Sequence, residues 1–206
     1  MDCLYYRSVD NKGMSAFPLP RWTLEEYLDR EEMADERHEF FDGLIVAMSG
    51  GLSAHDLVSS NAVTLLNLAT RGRPCRAHGS NLRLYIAKSN VATYPDAMVV
   101  CGPYEYERGR RDLISNPILL VEVLSRSTES YDRGKKFEYY RTLPSLREYV
   151  LVSQTEPLVE RFSRQDERWT LDAFRGLDAE LPLESIEARL ALRELYDKVE
   201  FEPAPL

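Results

Sequence analysis

From Leu24 onward the apolar positions alternate between helical spacing and the tighter spacing of strands. Thr23 and Glu26 form a capping box ahead of Leu24, Tyr27 and Leu28, which predicts a short amphipathic helix ending near Met33. In His38–Met48 an Asp42-Gly43 pair divides two apolar runs and predicts a tight hairpin. Ser53 and Asp56 suggest a second capping box, and Val58, Ala62, Leu65 and Ala69 recur at helical spacing until Gly72. Strands are expected around 75–77, 81–86, 95–101 and 117–124, the last nearly continuous in apolar residues as for a central strand covered on both faces. The segment 129–143, with Phe137 and Tyr140 on one side, predicts a further long helix ending before Pro144. Gly134 weakens its first turns by roughly 1 kcal/mol, so its start is left open. Strands follow at 148–152, 158–162 and 169–174, the last two joined by a polar turn at 164–167, and 185–196 predicts a short strand and a helical turn. This order predicts an α/β or α+β sandwich built on a mixed β-sheet flanked by helices, with additional β-hairpins. Residues 1–21, without periodicity, are expected to be an N-terminal arm, 22–197 the folded domain, and 198–206 a C-terminal tail.

The 206 residues, 44% of them hydrophobic, suffice for one domain. Charged residues make up 29%, and no apolar run approaches the roughly 18 residues of a bilayer span, so no membrane is expected. No secretory signal is visible at the start, and the expected compartment is cytoplasmic. Cys3, Cys75 and Cys101 lack the close pairing of a zinc site, and reduced thiols are expected. A net charge of −8 argues against broad coating of nucleic acid but leaves room for a local basic groove. Arg71, Arg73 and Arg76 form one candidate cluster, with solvated charge an equal alternative; Arg126, Arg133, Lys135 and Lys136 form another.

The candidate chemistry starts with Glu122, which interrupts the apolar run Leu119–Leu124. A carboxylate in a covered strand is costly unless protonated, paired or bound to a cation. Tyr94-Pro95-Asp96 sets a second acid at a strand entrance, and if the two strands are neighbours the acids converge. Converging hard oxygens suit Mg²⁺ or Mn²⁺ rather than zinc, which points to hydrolysis of a phosphodiester by an activated water. Lys136 is the candidate cation for stabilising developing charge, though Asp132 and Lys136 at i and i+4 also match an ordinary surface pair. An Arg or Lys partner, or a strand-end cap, would account for either acid without chemistry. The apolar neighbours favour a functional Glu122, while Asp96 alone is evenly balanced.

These residues resemble the PD-(D/E)XK nuclease superfamily and, more closely, its Uma-two-type restriction endonuclease branch. The resemblance runs from Trp22 to Tyr196 through Thr23–Leu28, Glu39–Gly43, Ser53 and His55, Pro95-Asp96, Val121–Ser125, Ser127-Thr128, Asp132 through Lys136 to Tyr140, and Arg147-Glu148-Tyr149. It implies a restriction-endonuclease-like fold and Mg²⁺-dependent (or Mn²⁺-dependent) DNA cleavage, with Asp96 and Glu122 as metal acids. The usual superfamily lysine lies two residues past the Glu, where this chain has Leu124, and the resemblance moves that role to Lys136, with Lys135 as the alternative. Arg126 stands where the family often has a proline. Glu39 is implied as a further ligand or a residue steering the attacking water, with pairing to an arginine such as Arg37 equally open. His55 is implied as a phosphate contact or a partner of Glu39, whereas His38 and His78 are expected to be structural.

The leading expectation is thus a metal-dependent DNA endonuclease. Its competitors are a weak or inactive nuclease fold retained for DNA binding or protein interaction, and a hydrolase of another phosphoester. Apolar and Tyr-rich ends add an expectation of a homodimer.

Overall fold

The computed structural model describes residues 21–48, 50–126 and 128–201. Most of the expected arm, Cys3, Ser127 and residues 202–206 of the expected tail lie outside them.

The N-terminal helix α1 (Leu24–Glu32) starts on the complete Thr23/Glu26 capping box, and its buried face is Leu24, Tyr27 and Leu28. Strands β1 (His38–Phe41) and β2 (Leu44–Ala47) pair antiparallel around Asp42-Gly43. Both turn residues have positive φ, 44° and 97°, as a primed two-residue turn requires. Helix α2 (Ser53–Thr70) turns Val58, Ala62 and Leu66 inward and stops ahead of Gly72. The second capping box does not form: the helix begins at Ser53 itself, so Leu52 is the N-cap and no side chain caps it.

Strands β3 (Cys75–Gly79), β4 (Arg83–Ile86), β5 (Val91–Thr93), β6 (Ala97–Cys101), β7 (Leu113–Ile114) and β8 (Leu119–Leu124) follow. The next helical run has three parts: α3 (Glu129–Tyr131), a π turn (Asp132–Lys136) and α4 (Phe137–Tyr140). Strands β9 (Glu148–Ser153), β10 (Leu158–Gln165), β11 (Arg168–Arg175), β12 (Glu180–Leu183) and β13 (Ala188–Ala191) precede α5 (Leu192–Leu195). The very short β5 and β7 escape a periodicity reading because too few residues alternate, and Pro182 disguises β12.

A six-stranded mixed sheet, ordered β11-β10-β9-β8-β6-β3, is the frame of the molecule. Its β8–β9 pair is parallel and its other pairs antiparallel. β8 lies inside it and is buried along its whole length. Alternation on β8 sends Leu119, Val121 and Val123 toward α2, α5 and the β12–β13 hairpin. Leu120 and Leu124 point the other way, into a core shared with Tyr140, Leu143, Tyr149 and the strands β4 and β5. Glu122 has the same parity as Leu120 and Leu124 and lies on that second face. A five-stranded sheet, β2-β1-β5-β4-β7, carries β1 to the same region and packs α1 on its outer side through Tyr27, Phe40 and Leu113. Val199 and Phe201 pack against the first core, the Phe201 ring 5.4 Å from that of Tyr196.

The expectation of reduced thiols fails for two cysteines. Cys75 and Cys101 stand directly opposite in the β3–β6 ladder and are joined by a disulfide. A separation of 26 residues concealed a proximity that only strand pairing creates.

Candidate active site

Asp96 immediately precedes β6, and the antiparallel register Ala97↔Val121 sets it across from Glu122 on the same sheet face. Pro95 introduces the strand without interrupting the ladder. Asp96 Oδ2 accepts the Val123 backbone N–H at 2.7 Å, which ties the first acid to the strand of the second. Its other neighbour is His55, in the first turn of α2, with Nε2 at 3.5 Å. His55 therefore serves Asp96 and not Glu39. Gly51 makes room for the ring, since a Cβ there would come within 3.0 Å of His55 Nδ1.

The helical run supplies the remaining contacts. Lys136 Nζ lies 3.1 Å from Glu122 Oε1, 3.4 Å from Asp132 Oδ1 and 3.8 Å from Glu39 Oε1. Tyr140 Oη donates to Glu122 Oε1 at 2.7 Å and sits 3.1 Å from Thr93 Oγ1. Asp132, Lys136 and Tyr140 are each four residues apart, and all are buried. In a regular α-helix every four-residue step overshoots a full turn by about 40°, so a row of three would fan out over about 80°. The π turn between Asp132 and Lys136 is wound more loosely and reverses that drift, which lines the three side chains up on one side. The surface-pair reading of Asp132 and Lys136 is thereby corrected: the pair exists, but only 2% and 8% of these residues are exposed. Lys135, in contrast, is exposed and pairs with Glu138.

Glu39 points inward from β1 and also receives the Tyr94 N–H at 3.4 Å. The Arg37 alternative is excluded, because that guanidinium bonds Ser80 and Asn81 instead. His38 pairs with Glu31 and His78 with Tyr104. Arg133 and Lys135 of the second basic cluster are engaged by Glu129, Glu160 and Glu138. Arg73 and Arg76 of the first bond backbone carbonyls.

Carboxylates outnumber cations in this pocket, and burial sets their ionisation. Burial pushes Glu122 up to about 8, helped by the charges of Asp96 and Asp132 and opposed by Lys136. Burial also raises Asp96, against His55, the Val123 N–H and Lys136, and raises Glu39 against Lys136. The Lys136 ammonium feels the reverse balance: burial lowers it, but Glu122, Glu39 and Asp132 together hold it well above its ordinary value. Side-chain exposure falls from 21% at His55 and 16% at Asp96 through 14% at Glu39 and 10% at Lys136 to 5% at Glu122 and 3% at Asp132. The pocket thus opens on the His55–Asp96 side.

Among the described residues, no three His, Cys, Asp or Glu side chains are gathered so as to enclose a metal ion. Two acids with the remaining positions left to water and phosphate are how Mg²⁺ is commonly bound, and the donor chemistry here fits it. The described hydrogen bonds of Glu122 fall on Oε1 and those of Asp96 on Oδ2. Three carboxyl groups gathered on the Lys136 ammonium also fit an added cation.

A model of the family described as "Uma2: Putative restriction endonuclease" matches residues 24–193. The chain belongs to this family. Two relatives from Synechocystis sp. (strain ATCC 27184 / PCC 6803 / Kazusa), "Uncharacterized protein slr1290" and "Uncharacterized protein sll1609", are similar along most of their lengths. The first is 38% identical over 89% of this chain and 96% of its own, the second 37% over 77% and 90%. Among solved structures, a "putative nuclease belonging to DUF820" from Anabaena variabilis ATCC 29413 superposes with a TM-score of 0.68. It covers 85% of this chain and 97% of its own at 20% identity, a likeness of fold. No helix of the described residues is long and apolar enough to cross a membrane.

Two residues of the pocket were not singled out from the sequence as chemistry. Asp132 was read only as a partner for Lys136, and Tyr140 only as an apolar position within the matching stretch. Their four-residue spacing with Lys136 was the available signal, and the π turn brings Asp132 into line with the other two.

Proposed function

We propose that the protein is a metal-dependent DNA endonuclease, with Asp96 and Glu122 holding Mg²⁺ or Mn²⁺ and Lys136, Glu39 and His55 completing the site. The observation that carries this reading is the meeting of Asp96, Glu122, Glu39 and Lys136 in one buried pocket of a chain belonging to a restriction endonuclease family. A divalent ion bound there supplies polarisation of a phosphoryl oxygen and a lowered pKa for water.

The protein's own groups divide the remaining work. Lys136 stays protonated among three acids, so it acts as a fixed positive charge beside the phosphoryl group and not as a base. Glu39, whose affinity for a proton is raised by burial, receives the proton of the attacking water. The water oxygen bonds to phosphorus, and the ester P–O bond breaks with its electron pair left on the departing oxygen. His55, the most open of these side chains, orients Asp96 and meets the incoming phosphate. Cutting both strands of a duplex calls for two such sites, which a homodimer provides.

The test is incubation of supercoiled plasmid with the purified protein and Mg²⁺ or Mn²⁺. Nicking above that of an Asp96→Ala, Glu122→Ala double variant is expected, and equal activity overturns the proposal. Salt-dependent DNA binding without turnover would instead support a nuclease fold retained as a binding module.

A further inference from the structure

The π turn that aligns Asp132, Lys136 and Tyr140 is an exception to the preferred i→i+4 helix bonding, and something must stabilise it. The first carbonyl of the turn, that of Asp132, accepts a hydrogen bond from Tyr149 Oη at 3.1 Å. Tyr149 is fully buried on β9, where it pairs with Leu120 of β8 just as Leu151 pairs with Glu122. Its ring stacks on Phe137 at 5.9 Å and meets Tyr140 edge-on at 5.2 Å, so it contacts both residues that bound α4. The hydroxyl thus spans from the sheet that carries Glu122 to the turn that carries Lys136, and the ring sets their separation.

We propose that Tyr149 is a positioning residue: its hydroxyl holds the Asp132 carbonyl, ties the π turn to β9, and so seats Lys136 Nζ against Glu122. Without the hydroxyl the turn loses its tie to β9, and the Asp132–Lys136 pair is released from the sheet that carries Glu122. The consequence for catalysis rests on the nuclease reading above, whereas the seating of Lys136 does not.

The experiment compares the wild-type chain with Tyr149→Phe, which keeps the ring and its stacking. Acetic anhydride labelling read by mass spectrometry reports how accessible each lysine is. Lys136 labelling should rise about tenfold in the variant, with exposed Lys135 and Lys88 unchanged as internal controls; an unchanged Lys136 overturns the proposal even if the protein cuts no DNA. In plasmid nicking, the variant should lose about tenfold in kcat with KM held, and should cause no further loss in a Lys136→Ala background. Equal losses in both backgrounds would mean that Tyr149 acts by another route, and would also overturn it. Should the phenylalanine impair folding, 4-fluorophenylalanine at position 149 fills the hydroxyl volume without donating, and the same labelling result is required. A wild type that labels as expected but never nicks would sink the nuclease reading alone.

Discussion

Lys136 Nζ stands 3.1 Å from Glu122 Oε1, a contact between a π turn and a buried central strand. Position 124, two residues past Glu122, lies on the same strand. Here Leu124 occupies that place and packs into the core, while the ammonium arrives from the following helical run.

Lys136→Met removes the charge that offsets Glu122, Glu39 and Asp132. Breaking a buried ion pair from one side costs roughly 3–5 kcal/mol. Stability measured by urea denaturation should drop by that order at pH 8 and by less at pH 5, where the acids take up protons. Plasmid nicking should fall by about 10²–10³. A variant as stable as wild type at pH 8 would contradict the pairing.

Glu122→Gln keeps an oxygen acceptor for Tyr140 and removes the buried charge. With the folded-state pKa raised from 4.5 to about 8, the contribution of Glu122 to stability is complete below 4.5 and lost as pH climbs through about 8. Asp96 and Glu39 are raised too and add slope of the same sign, while Lys136 stays charged throughout. Metal-free wild type should therefore weaken between these pH values, and the Gln variant should weaken less while failing to nick DNA. Equal slopes in urea midpoints would show that Glu122 is ordinary.

Tyr140→Phe deletes the hydroxyl that donates to Glu122 at 2.7 Å. Partners that orient a metal acid typically matter 10–100-fold in affinity or activity. The Mg²⁺ concentration giving half-maximal nicking should rise about tenfold, with the fold unchanged by circular dichroism. An unaltered Mg²⁺ dependence would remove Tyr140 from the site.

Gly43→Ala tests the hairpin that delivers Glu39. Gly43 has φ 97°, and a Cβ there would sit 3.1 Å from Arg21 Cβ and 3.4 Å from the Trp22 carbonyl. The left-handed conformation alone costs a non-glycine residue roughly 1–2 kcal/mol. The urea midpoint should fall accordingly, and nicking should decline as Glu39 loses its seat. An undiminished midpoint would mean that the turn is readily rebuilt.

Much of the scaffold was legible because its signals are local. The Thr23/Glu26 box, the Asp42-Gly43 turn and the helical spacing of Val58 and Ala62 are read from neighbours in sequence, and the structure realises each, with Leu66 buried where the spacing points to Leu65. Ser53 and Asp56 misled because a helix start also depends on how the chain enters it, here one residue sooner. Glu122 stood out for an equally local reason, as a charge flanked by Leu119, Leu120 and Val121 on one side and Val123 and Leu124 on the other.

Which groups share a pocket was decided elsewhere. The sequence by itself determined most of the strands and helices and the cost of burying Glu122, since backbone preference and hydrophobic patterning act over a few residues. Only the tertiary structure decided that Asp96 faces Glu122, that Glu39 meets Lys136 and not Arg37, that Cys75 meets Cys101, and that Lys136 and Tyr140 point at one oxygen. Those outcomes depend on sheet register and on a π turn anchored by Tyr149. Both are set by contacts between distant segments, whose free energies no local pattern encodes.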